Sequence, residues 1–173
     1  EKGGKANVII LDYPRKDLQD RAQGLEDGLK EVAPDANVIG HYTGGTRDDG
    51  KKSVEKLIKD GVKFDFILSI NDSGSYGAID AMVEAGIDPS TVTIISIDAE
   101  ELAKEYISKG YFIRASVESA REALADAMFD AMVLLLSGHD VPETINVPPK
   151  EIVTKETLAK AMTATAIIAT PKP

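Results

Sequence analysis

Short β-rich apolar runs alternate with longer amphipathic stretches along most of this chain, and that alternation constrains the fold more than any other feature. The apolar runs are Asn7–Leu11, Asn37–Gly40, Phe64–Ile70, Thr93–Ile97 and Phe112–Val117. Helical spacing follows each of them: Leu18–Val32 with Leu18, Ala22, Leu25 and Leu29 on one face, then Asp48–Asp60, Gly74–Ala85, Glu100–Lys109 and Arg121–Leu136. Strands that are apolar throughout, each followed by a helix, predict a parallel sheet covered on both faces, an α/β fold of Rossmann-like type. Gly86, Gly110 and Gly138 fall where helices of this kind end. Beyond Gly138 the pattern changes. Val141–Pro149 is extended and punctuated by proline, Glu151–Thr154 reads as a short strand and Glu156–Met162 as a short helix. Residues 164–170 could pair as a strand on a free edge.

Ligands of open parallel sheets bind beyond the carboxyl ends of the strands, so the residue that closes each run matters most. Asp12 closes the first run, Asn71 and Asp72 the third, Asp98 the fourth and Glu118 the fifth. Asp17 and Arg21 follow at the start of the first helix. These polar groups share one end of the sheet and predict a polar cleft. Each also has a purely structural explanation. Asp72 or Ser73 could cap the helix near Gly74, and Asp98 the helix at Glu100. Asp17 and Arg21 could form a solvated pair four residues apart, and Glu118 could simply be exposed.

Charge and composition exclude several classes of function. The net charge of −9 argues against nucleic acid, because phosphate binding needs a basic face. The absence of cysteine removes thiol nucleophiles, disulfides and thiolate zinc sites, and the two histidines, His41 and His139, have no metal-ligand spacing. Gly45-x4-Gly50-Lys51 imitates a phosphate loop, but Lys52 stands where Ser or Thr should hold magnesium. Ser75 lacks the glycine two positions before it that a nucleophile elbow needs. No catalytic residue, metal site or cofactor is expected.

Several segments resemble the type I periplasmic binding proteins, especially the ribose and glucose/galactose group. They are D-x3-R-x2-G-L at Asp17–Leu25, I-N-D-x4-G-A at Ile70–Ala78 and I-S-I-D at Ile95–Asp98. The run Ile107–Glu118, a long helix ending in L-L-S-G, and I-V-T-K-E-T at Ile152–Thr157 complete the series, over about residues 5–158. The resemblance implies that Arg21, Asn71 and Asp98 hydrogen-bond sugar hydroxyls, that Glu118 supplies a polar group at the hinge, and that Asp17 contacts ligand as in some relatives. Hydroxyls both donate and accept, which suits a guanidinium, an amide and carboxylates acting together. Gly45 and Ile97 stand where relatives place aromatic rings, and Glu118 is acidic where they carry Gln or Asn. This leaves room for an amine-bearing or otherwise different polyol.

The resemblance further implies one lobe of a two-lobed protein. Residues 1–118 would form a lobe starting at about its second strand-level element, 119–149 would cross to the other lobe, and 150–173 would return as a terminal strand, helix and tail. The expected role is an extracytoplasmic solute-binding protein of an ABC importer, freed of its signal peptide, periplasmic or lipid-anchored, with a permease as partner. The effector domain of a LacI-type regulator and the sensor domain of a membrane receptor are the alternatives. Leu124, Met128, Met132 and Leu135 form an apolar stripe that should either meet a second copy of the chain or fold back over the sheet.

Overall fold

The computed structural model describes residues 5–161, and residues 164–170 of the expected tail strand lie outside them. The elements run β1 (Asn7–Asp12), α1 (Lys16–Val32), β2 (Asn37–Thr43), α2 (Arg47–Lys59), β3 (Phe66–Ser69) and α3 (Asp72–Glu84). They continue with β4 (Thr93–Asp98), α4 (Glu101–Lys109), β5 (Ile113–Glu118), α5 (Arg121–Leu136) and β6 (Glu151–Thr154). Residues 155–161 are helical. The described residues form one 6-stranded sheet in the order β2-β1-β3-β4-β5-β6. β1 to β5 are parallel, and β6 is antiparallel to β5.

The strand order reverses at β1 and β3, and the helices divide accordingly. Leu18, Leu25 and Leu29 of α1 pack with Val8, Ile10, Leu68 and Ile70 on one face. The other face buries Ile9, Leu11, Ile67, Ile94 and Ile113 against side chains of α2, α3 and α4. β1, covered on both sides, is apolar and buried from Val8 to Leu11, which is why its sequence runs rather than alternates. Gly86, Gly110 and Gly138 all adopt positive φ just past their helices, as their placement in the sequence suggested.

Helices α2 and α3 approach each other more closely than a side chain would permit. A Cβ on Gly77 would lie 1.8 Å from the carbonyl oxygen of Arg47, and one on Gly50 would lie 2.2 Å from that of Gly74. Gly50, which mimics a phosphate-loop glycine in sequence, is therefore a packing residue inside α2. Ion pairs lie over the contact: Arg47 grips Asp80 with two bonds of 2.6 and 2.8 Å, and Lys51 reaches Glu84 at 2.6 Å. The Arg47 guanidinium holds the Asp80 carboxyl below the usual carboxylate range.

Of the two outcomes expected for α5, the fold-back over the sheet does not occur. α5 makes no extensive contact with any other element, touching the end of β4 through Arg121, and it buries none of its residues. Leu124, Met128, Met132 and Leu135 are exposed, and so are Phe129, Val133 and Leu136. Apolar side chains thus surround the helix, whereas a single stripe would have allowed it to lie on the sheet. None of the described helices is long and apolar enough to cross a membrane.

Candidate functional site

The carboxyl ends of β3, β4 and β5 carry one connected polar layer. Among the described residues, the buried polar side chains are Ser69, Asp72, Ser75, Ser96 and Ser116, all at 0% exposure. Ser96 and Ser116 face each other across β4 and β5, and Ser69 closes β3. Ser75 donates to Ser96 at 3.0 Å, Ser96 also bonds Asp72, and Ser116 donates to Asp72 at 2.9 Å. Ser69 donates to the carbonyl of Asn71, and the single Ser75 hydroxyl hydrogen, 3.1 Å from the same carbonyl, is shared between it and Ser96. Burial pushes the Asp72 carboxyl above its ordinary range, against the hydrogen bonds from Ser96, the Glu100 amide and Ser116.

Arg21 and Asp98 meet above this layer. The Arg21 guanidinium donates to the carbonyl of Ile70 at 3.3 Å and stands 3.7 Å from the Asp98 carboxylate. Arg21 thus reaches from α1 across the ends of β3 and β4. Its side chain is 41% exposed and that of Asp98 is 24% exposed, so both can still meet a solute. Asp98 does not cap α4: the N-cap is Glu100, with no side-chain bond, and Asp98 has φ 110°. Its carboxylate instead accepts a 3.0 Å bond from Ser119, and its carbonyl accepts one from Arg121 at 3.2 Å.

Asn71, not Asp72 or Ser73, caps α3. Its side-chain oxygen accepts from the Gly74 amide and its nitrogen donates to the carbonyl of Gly45, both at 2.8 Å. An amide retains one further donor and one further lone pair in this arrangement, so capping leaves capacity for a ligand hydroxyl. Glu118 is 18% exposed and lies 3.3 Å from Lys150 and 3.7 Å from Lys104. It therefore stands where the chain leaves β5 and returns toward β6, with Lys150 also donating its amide to the Glu118 carbonyl at 2.9 Å. Asp17 stands apart. It pairs with Arg15 rather than Arg21, at 2.6 Å, and both side chains are well exposed.

A cleft of about 630 Å³ opens beside Asp98 and Glu118, walled also by Lys104, Arg121, Pro149 and Lys150. It does not include Arg21, Asn71 or Asp17. The cleft and the Arg21–Asp98 pair share Asp98, which makes that carboxylate the junction between them. Sequence reading missed Ser119, Arg121 and Lys150, because nothing in their local pattern announces a long-range partner. It also missed Tyr13, whose ring fills the space that a side chain at position 45 would need. No group of three or more His, Asp or Glu side chains suited to a metal occurs among the described residues.

Comparison with known proteins places this geometry in context. The model of a family described as periplasmic binding protein domain matches residues 1–140. A xylitol-binding protein of Mycolicibacterium smegmatis is 30% identical over 145 residues, covering 80% of this chain and 40% of that protein. A putative rhizopine-binding protein of Rhizobium meliloti is 28% identical over 159 residues, covering 91% of this chain and 51% of that one. The chain thus spans about half the length of the curated relatives it matches. Among solved structures, the periplasmic component of an arabinose ABC transporter from Shewanella sp. ANA-3, bound to L-arabinofuranose, superposes with a TM-score of 0.78. It is 25% identical, with 98% of this chain and 59% of that one covered.

Proposed function

Because the chain belongs to the periplasmic binding protein family, we propose that it forms one lobe of an extracytoplasmic solute-binding protein, which holds a sugar or polyol for an ABC importer. The observation that carries this reading is the Arg21–Asp98 pair, half-exposed at the carboxyl end of the sheet. A guanidinium and a carboxylate side by side can satisfy both the oxygen and the proton of neighbouring hydroxyls. The names of the relatives point to the same ligand class: xylitol, rhizopine and arabinose.

In this reading Arg21, Asn71 and Asp98 contact the solute and Glu118 acts at the hinge. Glu118 is already neutralised by Lys104 and Lys150, which favours an uncharged polyol over an amine there. Asp17 contributes little, since its partner is an exposed arginine. Residues 119–149 serve the crossing between lobes, and α5 is the surface against which the other lobe packs. In the 173-residue chain by itself that surface meets a second copy. The protein performs no chemistry on its ligand. A permease is its partner and the periplasm or outer surface its compartment.

Titration of the isotopically labelled chain with xylitol, myo-inositol and L-arabinose, followed by NMR, tests this. Saturable shifts confined to residues 70–72, 98–99 and 118–121 are expected with at least one of them. Shifts confined to other surfaces, or none with any of the three, would overturn the assignment.

A further inference from the structure

We propose that Asp72 and Ser116 are positioning residues, which hold Asp98 against Arg21 by locking the turn that follows β4; the ligand role of Asp98 in this rests on the binding reading above. The turn is unusual. Asp98 has φ 110° and Ala99 φ 50°, in a region where side chains other than glycine are rare. Two such residues in succession persist only where the surroundings over-determine them.

The surroundings here are the buried polar layer. The amide of Ala99 donates to the Ser116 hydroxyl at 3.0 Å, and the amide of Glu100 donates to Asp72 at 2.7 Å. The Ser116 hydroxyl in turn donates a hydrogen bond to the second oxygen of Asp72 at 2.9 Å. Both amides that follow Asp98 are therefore gripped, one by β5 and the other by the first residue of α3. With the backbone fixed behind it, the Asp98 carboxylate is delivered to Ser119 at 3.0 Å and to Arg21 at 3.7 Å.

The cost of the arrangement supports a role beyond packing. Asp72 is fully buried, and among the described residues no cation pairs with it; serine hydroxyls and a backbone amide hold it instead. A buried carboxylate without a counter-charge is expensive, and an apolar residue would fill the space at lower cost. What an apolar residue cannot do is accept two bonds at a fixed spacing.

Ligand-free NMR of the chain tests the proposal. In Ser116→Ala and Asp72→Ala, the coupling constants and carbon shifts that mark positive φ at 98 and 99 should be lost, together with the Arg21–Asp98 contact. Asp72→Asn should retain both, because its amide oxygen can still accept from Glu100. Ser75→Ala, which removes an equally buried hydroxyl that does not touch the turn, should retain them as well. In the unsubstituted chain the amides of Ala99 and Glu100 should exchange with solvent at least about 100-fold more slowly than those of Glu101 and Leu102, which open α4. Fast exchange at 99 and 100, or a folded Ser116→Ala or Asp72→Ala that keeps the positive-φ signals, overturns the proposal. None of these measurements uses a ligand. A failed sugar titration would therefore count against the binding reading alone.

Discussion

Arg21 on α1 and Asp98 at the end of β4 are 77 residues apart in sequence and 3.7 Å apart in the fold. Their meeting depends on the reversal of strand order at β1 and β3, which sends α1 to one face of the sheet and α3 and α4 to the other. Arg21 can then lean over the ends of β3 and β4, where it also holds the carbonyl of Ile70. The topology makes the site, and the side chains only complete it.

The same topology depends on the α2–α3 contact. Gly77→Ala would drive a methyl group into the Arg47 carbonyl, 1.8 Å from the ideal Cβ position. Backbone cannot yield as a flexible side chain can, so a loss of about 3 kcal/mol is expected, at the upper end of overpacking penalties. Urea denaturation checks it. A change within about 0.5 kcal/mol, typical of surface substitutions, would show that the two helices separate freely.

Asp72 should leave a mark on the pH dependence of stability. Burial holds its carboxyl above the ordinary value of 3.8, so the folded chain keeps that proton more tightly than the unfolded chain does. The contribution is fully present below about pH 4 and is withdrawn as pH rises through the elevated folded value. Groups such as Asp80 and Glu26, held low by Arg47 and by Lys30 respectively, act in the opposite sense. They are common to the chain and to Asp72→Asn, and cancel in the difference. The stability of the parent minus that of Asp72→Asn should therefore fall as pH climbs from 4 and then level off. A difference that grows with pH would contradict the assignment.

α5 is expected to govern association. Fully burying a Leu or Met side chain is worth roughly 1.5–3 kcal/mol, and this helix leaves Leu124, Met128, Met132 and Leu135 in water together. Sedimentation equilibrium should find a dimer that Met128→Lys with Met132→Lys converts to monomer while the sheet stays folded. A monomeric parent chain at high concentration would show that the helix tolerates solvent.

The sheet was legible because buried parallel strands write themselves as unbroken apolar runs, of which Asn7–Leu11 is the clearest. Glycine positions gave the helix ends for the same reason, since Gly86, Gly110 and Gly138 occupy a backbone region that other residues avoid. Side-chain roles at the strand ends were less legible. Asn71, Asp72 and Ser73 are adjacent and chemically alike, and only the packing of α3 decides that Asn71 caps while Asp72 turns inward to the serines. Asp98 looked like a cap because its sequence context is that of one, yet its positive φ turns the side chain toward Ser119. The fate of α5 was not legible from the chosen stripe, because Phe129, Val133 and Leu136 make the helix apolar on its other sides too.

Asp98 is proposed to bind the solute, and its share of the affinity is measurable directly. Removing it would leave Arg21 and Ser119 without their shared acceptor. A hydrogen bond from a solute hydroxyl to a charged group is worth about 1.5–3 kcal/mol, and about 1.4 kcal/mol corresponds to tenfold in affinity. The dissociation constant of whichever of xylitol, myo-inositol or L-arabinose binds should therefore rise at least about tenfold in Asp98→Ala, while Asp17→Ala stays within about twofold of the parent. Equal affinity in Asp98→Ala and the parent chain would mean that Asp98 does not bind the solute.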